Sequence, residues 1–286
     1  MIMKKILFVL GIIALAFSLS GCNSYKSNKF NKNLSFSEEI KGKDKTKLID
    51  EIKNKWTEFS KAKITGESKY ESEDSTENAS YDLEFKVYTN DVFQLSGTGK
   101  SNSSSDGIKL TKKEDVDVCI WNYKTDKSIV ERNKVNDEYT YTVINTYAND
   151  ADGSKTTYLE AFQYIEGMSA SITALDAYKD GSNYILIQSS RQESYVGVNW
   201  GSEVKERYTL NENQIIFVVN KNYEIEKIIM YSATTTNRDP DTNQWYKRNK
   251  KVSEDRVEIK LTYGKVKENK DLENELNSDY ASKKNN

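Results

Sequence analysis

Apolar residues recur along this 286-residue chain in two periods, and the switch between them marks its elements. Leu48, Ile49, Ile52, Trp56 and Phe59 follow helical spacing, which predicts a helix over about 44–61. From Lys63 the period becomes two: Ile64, Gly66, Ser68 and Tyr70 alternate with Lys63, Thr65, Glu67 and Lys69. Tyr81, Leu83, Phe85 and Val87 form the clearest alternating set, followed by Phe93, Leu95, Gly97 and Gly99, with Asn90-Asp91 placed as a hairpin turn. Further strands are expected at about 107–112, 115–123, 127–132 and 137–147, the last with Tyr139, Tyr141 and Val143 on one face.

A polar turn at 149–154 leads into the longest helical pattern: Tyr158, Phe162, Ile165, Met168, Ile172, Leu175 and Tyr178. It predicts a helix over about 156–179 that stops before Asp180-Gly181. Strands return at 184–187, 203–210, 215–219, 225–231 and 257–263, the last alternating Val257, Ile259, Leu261 and Tyr263 with charged and polar residues. Residues 23–46 are polar, so 22–43 reads as a tether and 44–266 as the folded domain. Residues 267–286 are charged and read as a short helix or a frayed tail.

Lys4 and Lys5 precede an uncharged run from Ile6 to Phe17, and then comes Leu19-Ser20-Gly21-Cys22. That order is the grammar of an export signal. The apolar run is shorter than the about 20 residues that span a bilayer as a helix. Leu19-Ser20-Gly21-Cys22 resembles the lipobox of bacterial lipoproteins. The resemblance implies that residues 1–21 are a signal peptide and that the Cys22 thiol receives a diacylglyceryl group. The acylated chain, carrying palmitate-type chains, would then be anchored on the extracytoplasmic side of the cell membrane. A plain secretory signal and an uncleaved anchor are the alternatives.

Composition narrows the chemistry. Without Lys4 and Lys5, 40 of the 42 basic residues remain against 44 acidic ones, a net charge of −4. This gives no basic face for nucleic acid. There is no histidine, which removes Ser-His-Asp and Cys-His catalysis and histidine-ligated zinc. The second cysteine, Cys119, sits in the apolar run Val116–Trp121 and reads as a buried, inert thiol, so no internal disulfide is expected. Two loops alternate oxygen-bearing residues, Asp150, Asp152 and Ser154 in one and Asp239, Asp241 and Asn243 in the other. Both lack the remaining ligands of a calcium loop and read better as polar turns. No cofactor is expected. The abundance of Lys and Asn suits an AT-rich, low-GC Gram-positive source.

A helix, a run of meandering strands, a second helix and a second meander resemble the LolA-like lipoprotein and lipoprotein-carrier superfamily. The segments that carry the resemblance are Ile64-Thr65-Gly66-Glu67-Ser68, the strand–turn–strand from Ile215 to Ile228, and the strand Val257–Tyr263. It implies an α+β fold in which a strongly curved antiparallel sheet, an open half-barrel, carries two amphipathic helices on its concave face. In that family the space between sheet and helices holds acyl chains or another hydrophobic ligand. The residues expected to line it are Tyr81, Leu83, Phe85, Phe93, Leu95, Tyr139, Tyr141, Phe162, Ile165 and Met168, each of which reads better, taken singly, as ordinary core.

Two non-catalytic functions stay open: a membrane-tethered protein that binds a lipid or other hydrophobic ligand, and an envelope interaction or assembly protein with no ligand cavity. For the second, Tyr195-Val196-Gly197-Val198-Asn199-Trp200-Gly201 offers aromatic residues in a loop. Acidic pairs such as Glu38-Glu39 and Glu114-Asp115 are present, but no nucleophile elbow, phosphate loop or metal cluster accompanies them, so an enzyme is not expected.

Overall fold

The computed structural model describes residues 34, 36–55, 58–89, 92–105, 107–135, 138–146, 175–200, 203–266 and 268–284. In chain order the elements are β1 (Glu38–Ile40), α1 (Gly42–Lys55), β2 (Phe59–Glu71), β3 (Ser75–Thr89), β4 (Val92–Ser105), β5 (Ile108–Tyr123), β6 (Ser128–Val135) and β7 (Glu138–Thr146). Then follow β8 (Asp176–Asp180), β9 (Asn183–Trp200), β10 (Glu203–Val219), β11 (Ile225–Arg238), β12 (Trp245–Tyr263) and α2 (Lys270–Lys284). No helix among the described residues is long and apolar enough to cross a membrane.

All twelve strands form one antiparallel sheet in the order β1-β8-β9-β10-β11-β12-β2-β3-β4-β5-β6-β7. Two meanders, β2 to β7 and β8 to β12, meet where β12 pairs with β2. Partners directly across the central strands are Phe217, Ile228, Ile259, Ile64 and Leu83, one from each of five neighbouring strands. They make an apolar rib, and they all point to the face on which α1 lies. Leu48, Ile49 and Ile52 of α1 are buried against this face. Each such side chain contributes about 2 kcal/mol on leaving water. Asp44 in the first turn of α1 and Lys53 and Lys55 in the last complement its dipole.

The opposite face carries two separate apolar patches. At one end Tyr178, Ile185, Ile187, Ile216 and Ile229 cluster with Phe36. At the other, Val92, Cys119, Trp121, Tyr123 and Val130 receive Leu276 and Tyr280 of α2. Asn269 caps α2, its side-chain oxygen accepting the Leu272 N–H at 3.1 Å. The C-terminal segment read as a short helix or frayed tail is therefore a docked helix.

Several expectations are corrected. The fold is mostly β, and the sheet is not strongly curled. α1 lies on one face and the C-terminal α2 on the other, while the second helix expected beside α1 falls almost wholly outside the described residues. The first helix ends at Lys55, and Phe59 opens β2 instead of closing the helix; its spacing from Ile52 mimics a helical step. The expected tether contains β1, whose Glu38–Ile40 pair with Ala177–Lys179, and the start of α1. Residues 176–179, assigned to the end of the second helix, belong to β8, where Ala177 and Tyr178 point to opposite faces. Leu175, just before β8, is buried in the same core, and the rest of that helical pattern lies outside the described residues. The two strands expected at 203–210 and 215–219 are one strand, β10, and strands β9, β11 and β12 each run well past the short apolar stretches that announced them. Their extensions are polar, so only cross-strand hydrogen bonding marks them as strand.

The turn that joins the β11 and β12 extensions is locked by Asp239. Its carboxylate is buried and accepts backbone N–H groups of Glu73 at 2.6 Å, Asp241 at 2.9 Å and Thr242 at 2.8 Å, together with the Tyr246 hydroxyl. Asp241 in turn accepts the Tyr70 hydroxyl at 2.7 Å and the Ser75 hydroxyl at 3.0 Å. The β11–β12 turn is thereby tied to the β2–β3 turn. Burial alone would raise the Asp239 pKa, but the Tyr246 hydroxyl and the three N–H groups outweigh it and hold the carboxyl at about 2. Because the folded-state value lies below the ordinary 3.8, this stabilisation is complete above that range and fades as pH falls toward 2. Asp239→Asn is expected to cost about 2 kcal/mol near neutral pH, read as a lower urea midpoint with unchanged slope. The gap between variant and wild type should close as the pH of the titration is lowered through the acid range.

Candidate functional site

The feature that stands out for binding is the floor of the sheet beneath α1. Register places four successive rows on it. Leu83, Ile64, Ile259, Ile228 and Phe217 form one row; Tyr81, Gly66, Val257, Met230 and Ile215 form the next. One step further toward the hairpin tips the row reads Ala79, Ser68, Asp255, Ser232 and Asn213, and after it Glu77, Tyr70, Ser253, Thr234 and Asn211. The apolar floor thus stops abruptly between Val257 and Asp255. Asp255 is half-buried, and burial raises its pKa against hydrogen bonds from Ser68 and Ser232, the latter at 3.2 Å.

Sideways, the floor runs from Ala177 and Leu186 on β8 and β9 to Val116, Val118 and Ile129 on β5 and β6. At about 4.8 Å per strand this is a span on the order of 40 Å. α1, with 14 residues, is about 21 Å long. Among the described residues α1 is the one helix that contributes to this floor.

Tyr81 marks the polar end of the floor. Its ring lies over Gly66 on the neighbouring strand, and a Cβ on Gly66 would overlap the ring. A second glycine, Gly97, has φ of +145°, and a Cβ there would strike the Asp82 carbonyl oxygen. Ring and glycine therefore fit as a pair.

Of the residues expected to line a hydrophobic site, Tyr81, Leu83, Phe85 and Phe93 are buried on this floor, and Leu95 packs against it. Phe85 and Phe93 stack with ring centroids 5.8 Å apart. Tyr139 and Tyr141 do not join them. They lie on the face of Arg132 and Cys119, where Tyr141 packs against Trp121 and Tyr280, and the Arg132 guanidinium sits 4.2 Å from the centre of the Tyr139 ring. The reason is parity: β7 pairs Tyr141 with Arg132, whose side chain points away from the floor. Phe162, Ile165 and Met168 lie outside the described residues, as does the Asp150–Ser154 turn. The sequence pattern at 215–219, 225–231 and 257–263 held the signal for the remaining floor residues, but alternation alone does not say which strands share a face.

The other candidate groups resolve into structure. Cys119 is fully buried beneath α2, and burial pushes its thiol up to about 11, only partly offset by Arg132 with Nη2 3.7 Å from the sulfur. Arg132 is itself buried and donates to Glu275 of α2 at 2.8 Å, while Trp121 donates to Asn277 at 3.1 Å. These polar contacts fix where α2 docks. The oxygens of Asp239 are taken up by N–H and O–H donors, and no group of metal-ligating side chains occurs among the described residues. An open cleft of about 590 Å³ lies on the face away from α1, lined by Thr65, Glu67, Ser80, Asp82, Thr98, Lys100, Arg256 and Glu258. Its charged walls suit water and ions rather than an apolar molecule.

The fit of Tyr81 over Gly66 is measurable. Gly66→Ala should destabilise the protein by about 1–3 kcal/mol through overpacking. The same change in a Tyr81→Leu background should cost clearly less, and the double-mutant cycle in urea reports the difference. Equal costs in both backgrounds would show that the ring is free to move aside.

No family model matches the chain, and no curated protein does. Among solved structures, the crystal structure of LprF from Mycobacterium bovis is a distant match, at 8% sequence identity and a TM-score of 0.29, covering 79% of this chain and 94% of that one. A superposition that loose carries no argument about mechanism or ligand.

Proposed function

We propose that this chain is a lipid-anchored extracytoplasmic protein that binds a lipid or another hydrophobic ligand against the sheet floor, and that it is not an enzyme. The observation that supports this most is the floor itself, an apolar surface wider than α1 and bounded by the polar row through Asp255. These side chains are buried, so an amphiphile would have to displace what covers them; it would then place its hydrocarbon over Leu83, Phe85 and Ile64 and its polar end toward Ser68, Asp255 and Ser232. In this reading the tyrosines of β7, on the other face, play no part. Cys22, acylated after cleavage behind Gly21, holds the domain at the membrane, because several buried acyl chains at about 0.8 kcal/mol per methylene resist release.

A second reading, an envelope interaction protein without a ligand, draws on the β9–β10 hairpin. There Tyr195 is 58% exposed and Val204 71% exposed, and large apolar groups on a surface favour a protein partner.

Two experiments test the proposal. Protein extracted from cell membranes and examined by native mass spectrometry should carry an apolar molecule that organic solvent removes. Repeated recovery of unliganded chain would sink the ligand and leave the second reading. Separately, Cys22→Ser should move the protein from the membrane fraction to the medium or to the uncleaved precursor, with loss of incorporated labelled palmitate. Unchanged membrane retention and labelling would overturn the anchor alone.

A further inference from the structure

The sheet ends in two unlike edges. β1 has three residues, and Glu38 and Glu39 are held in ion pairs with Lys179 and Lys41 at 2.8 and 2.9 Å. Short length and charge are how natural sheets keep a further strand from adding. β7 is neither short nor strongly charged, and its one irregularity is a step at Ile144 near its C-terminal end, where Val143 and Asn145 pair with the consecutive Val130 and Ile129. It is nine residues long, Glu138-Tyr-Thr-Tyr-Thr-Val-Ile-Asn-Thr146, with one charged residue and neither proline, lysine nor arginine. Among the described residues its sheet partner is β6, on one side. Alternate residues therefore direct their N–H and C=O groups away from the sheet. The side chains of Tyr139, Thr140, Thr142 and Val143 are exposed.

An edge of this kind is satisfied by another extended strand, and the sequence of β7 suits its own copy. We propose that β7 is a docking edge for a second copy of this chain, paired antiparallel about a two-fold axis through Thr142. Thr142 is the midpoint of the strand, so full-length pairing sets it opposite Thr142 of the partner. Tyr141 then faces Val143 of the partner on both sides of the axis, an aromatic against a β-branched residue, which is a favoured cross-strand pair. The one charge, Glu138, falls at the two ends of the ladder, about 27 Å from its copy. No like charges meet, as a symmetric pairing requires. Tyr141 already packs on Trp121 and Tyr280, so the dimer would continue that aromatic patch across the axis. The paired surface is one strand edge deep, which makes the association concentration-dependent rather than permanent.

The test is sedimentation velocity of the full chain in density-matched detergent across a concentration series. Wild type should pass from monomer to dimer. Thr142→Lys and Thr142→Glu each place like charges face to face and should weaken association by about tenfold or more. An equimolar mixture of the two should restore the dimer through opposite charges. Thr142 is exposed, so both variants should melt with wild type. The proposal is overturned by a wild type that stays monomeric at every concentration, by a dimer that both charges leave intact, or by a mixture that does not recover association.

Discussion

The register of β12 on β2 is the constraint on which the rest of the molecule depends. It sets Ile259 against Ile64 and Val257 against Gly66, and so makes one floor out of two meanders. A slip of one residue would turn Lys260 and Glu258 onto the floor and expose the isoleucines. No disulfide reinforces this seam. Cys119 is a free, buried thiol, and the tether cysteine is far away in sequence. Stability therefore rests on registered apolar rows and on the hydrogen bonds that hold the strands in line.

The two faces divide the work. One is a continuous apolar surface under α1. The other is a pair of apolar patches separated by charged side chains such as Lys61 and Lys86 on either side of Glu84, and Lys63 beside Asp82. Surface pairs of this kind add little stability. Their effect is to keep the middle of that face wet, so that α2 docks at one end of it. Arg132, desolvated and reaching both Glu275 and Cys119, fixes the position of that helix by the cost of leaving a buried cation without an anion.

How much of this could be read from the sequence follows from where alternation is strong. Tyr81–Val87 and Val257–Tyr263 alternate cleanly, and both are strands with the expected side inward. The buried state of Cys119 was legible from its apolar neighbours. The polar halves of β9 and β12 were not, because serine, threonine and charged residues on both faces leave no period to detect, whereas the polar half of β10 was read as a strand at 203–210. Phe59 was misassigned because a spacing of seven from Ile52 fits a helix and also a strand that begins after a break. The side of the sheet on which Tyr139 and Tyr141 lie depends on strand order and on the irregular step between Ile129 and Val130, neither of which a linear pattern contains. The sharp border at Asp255 was also hidden, since it exists only when five strands are laid side by side.

The seam between β12 and β2 also bears on how such a chain comes to be folded. β2 begins at Phe59 and its partner strand ends at Tyr263. Loop closure over that separation is slow compared with the local hairpins. A chain that emerges N-terminus first exposes the β2–β7 meander with both margins bare, and its apolar side stays uncovered until the last strand arrives. During that interval the nascent half is a ready template for aggregation. A chaperone acting on this protein would therefore matter most before residue 263 is free to pair, and little afterward.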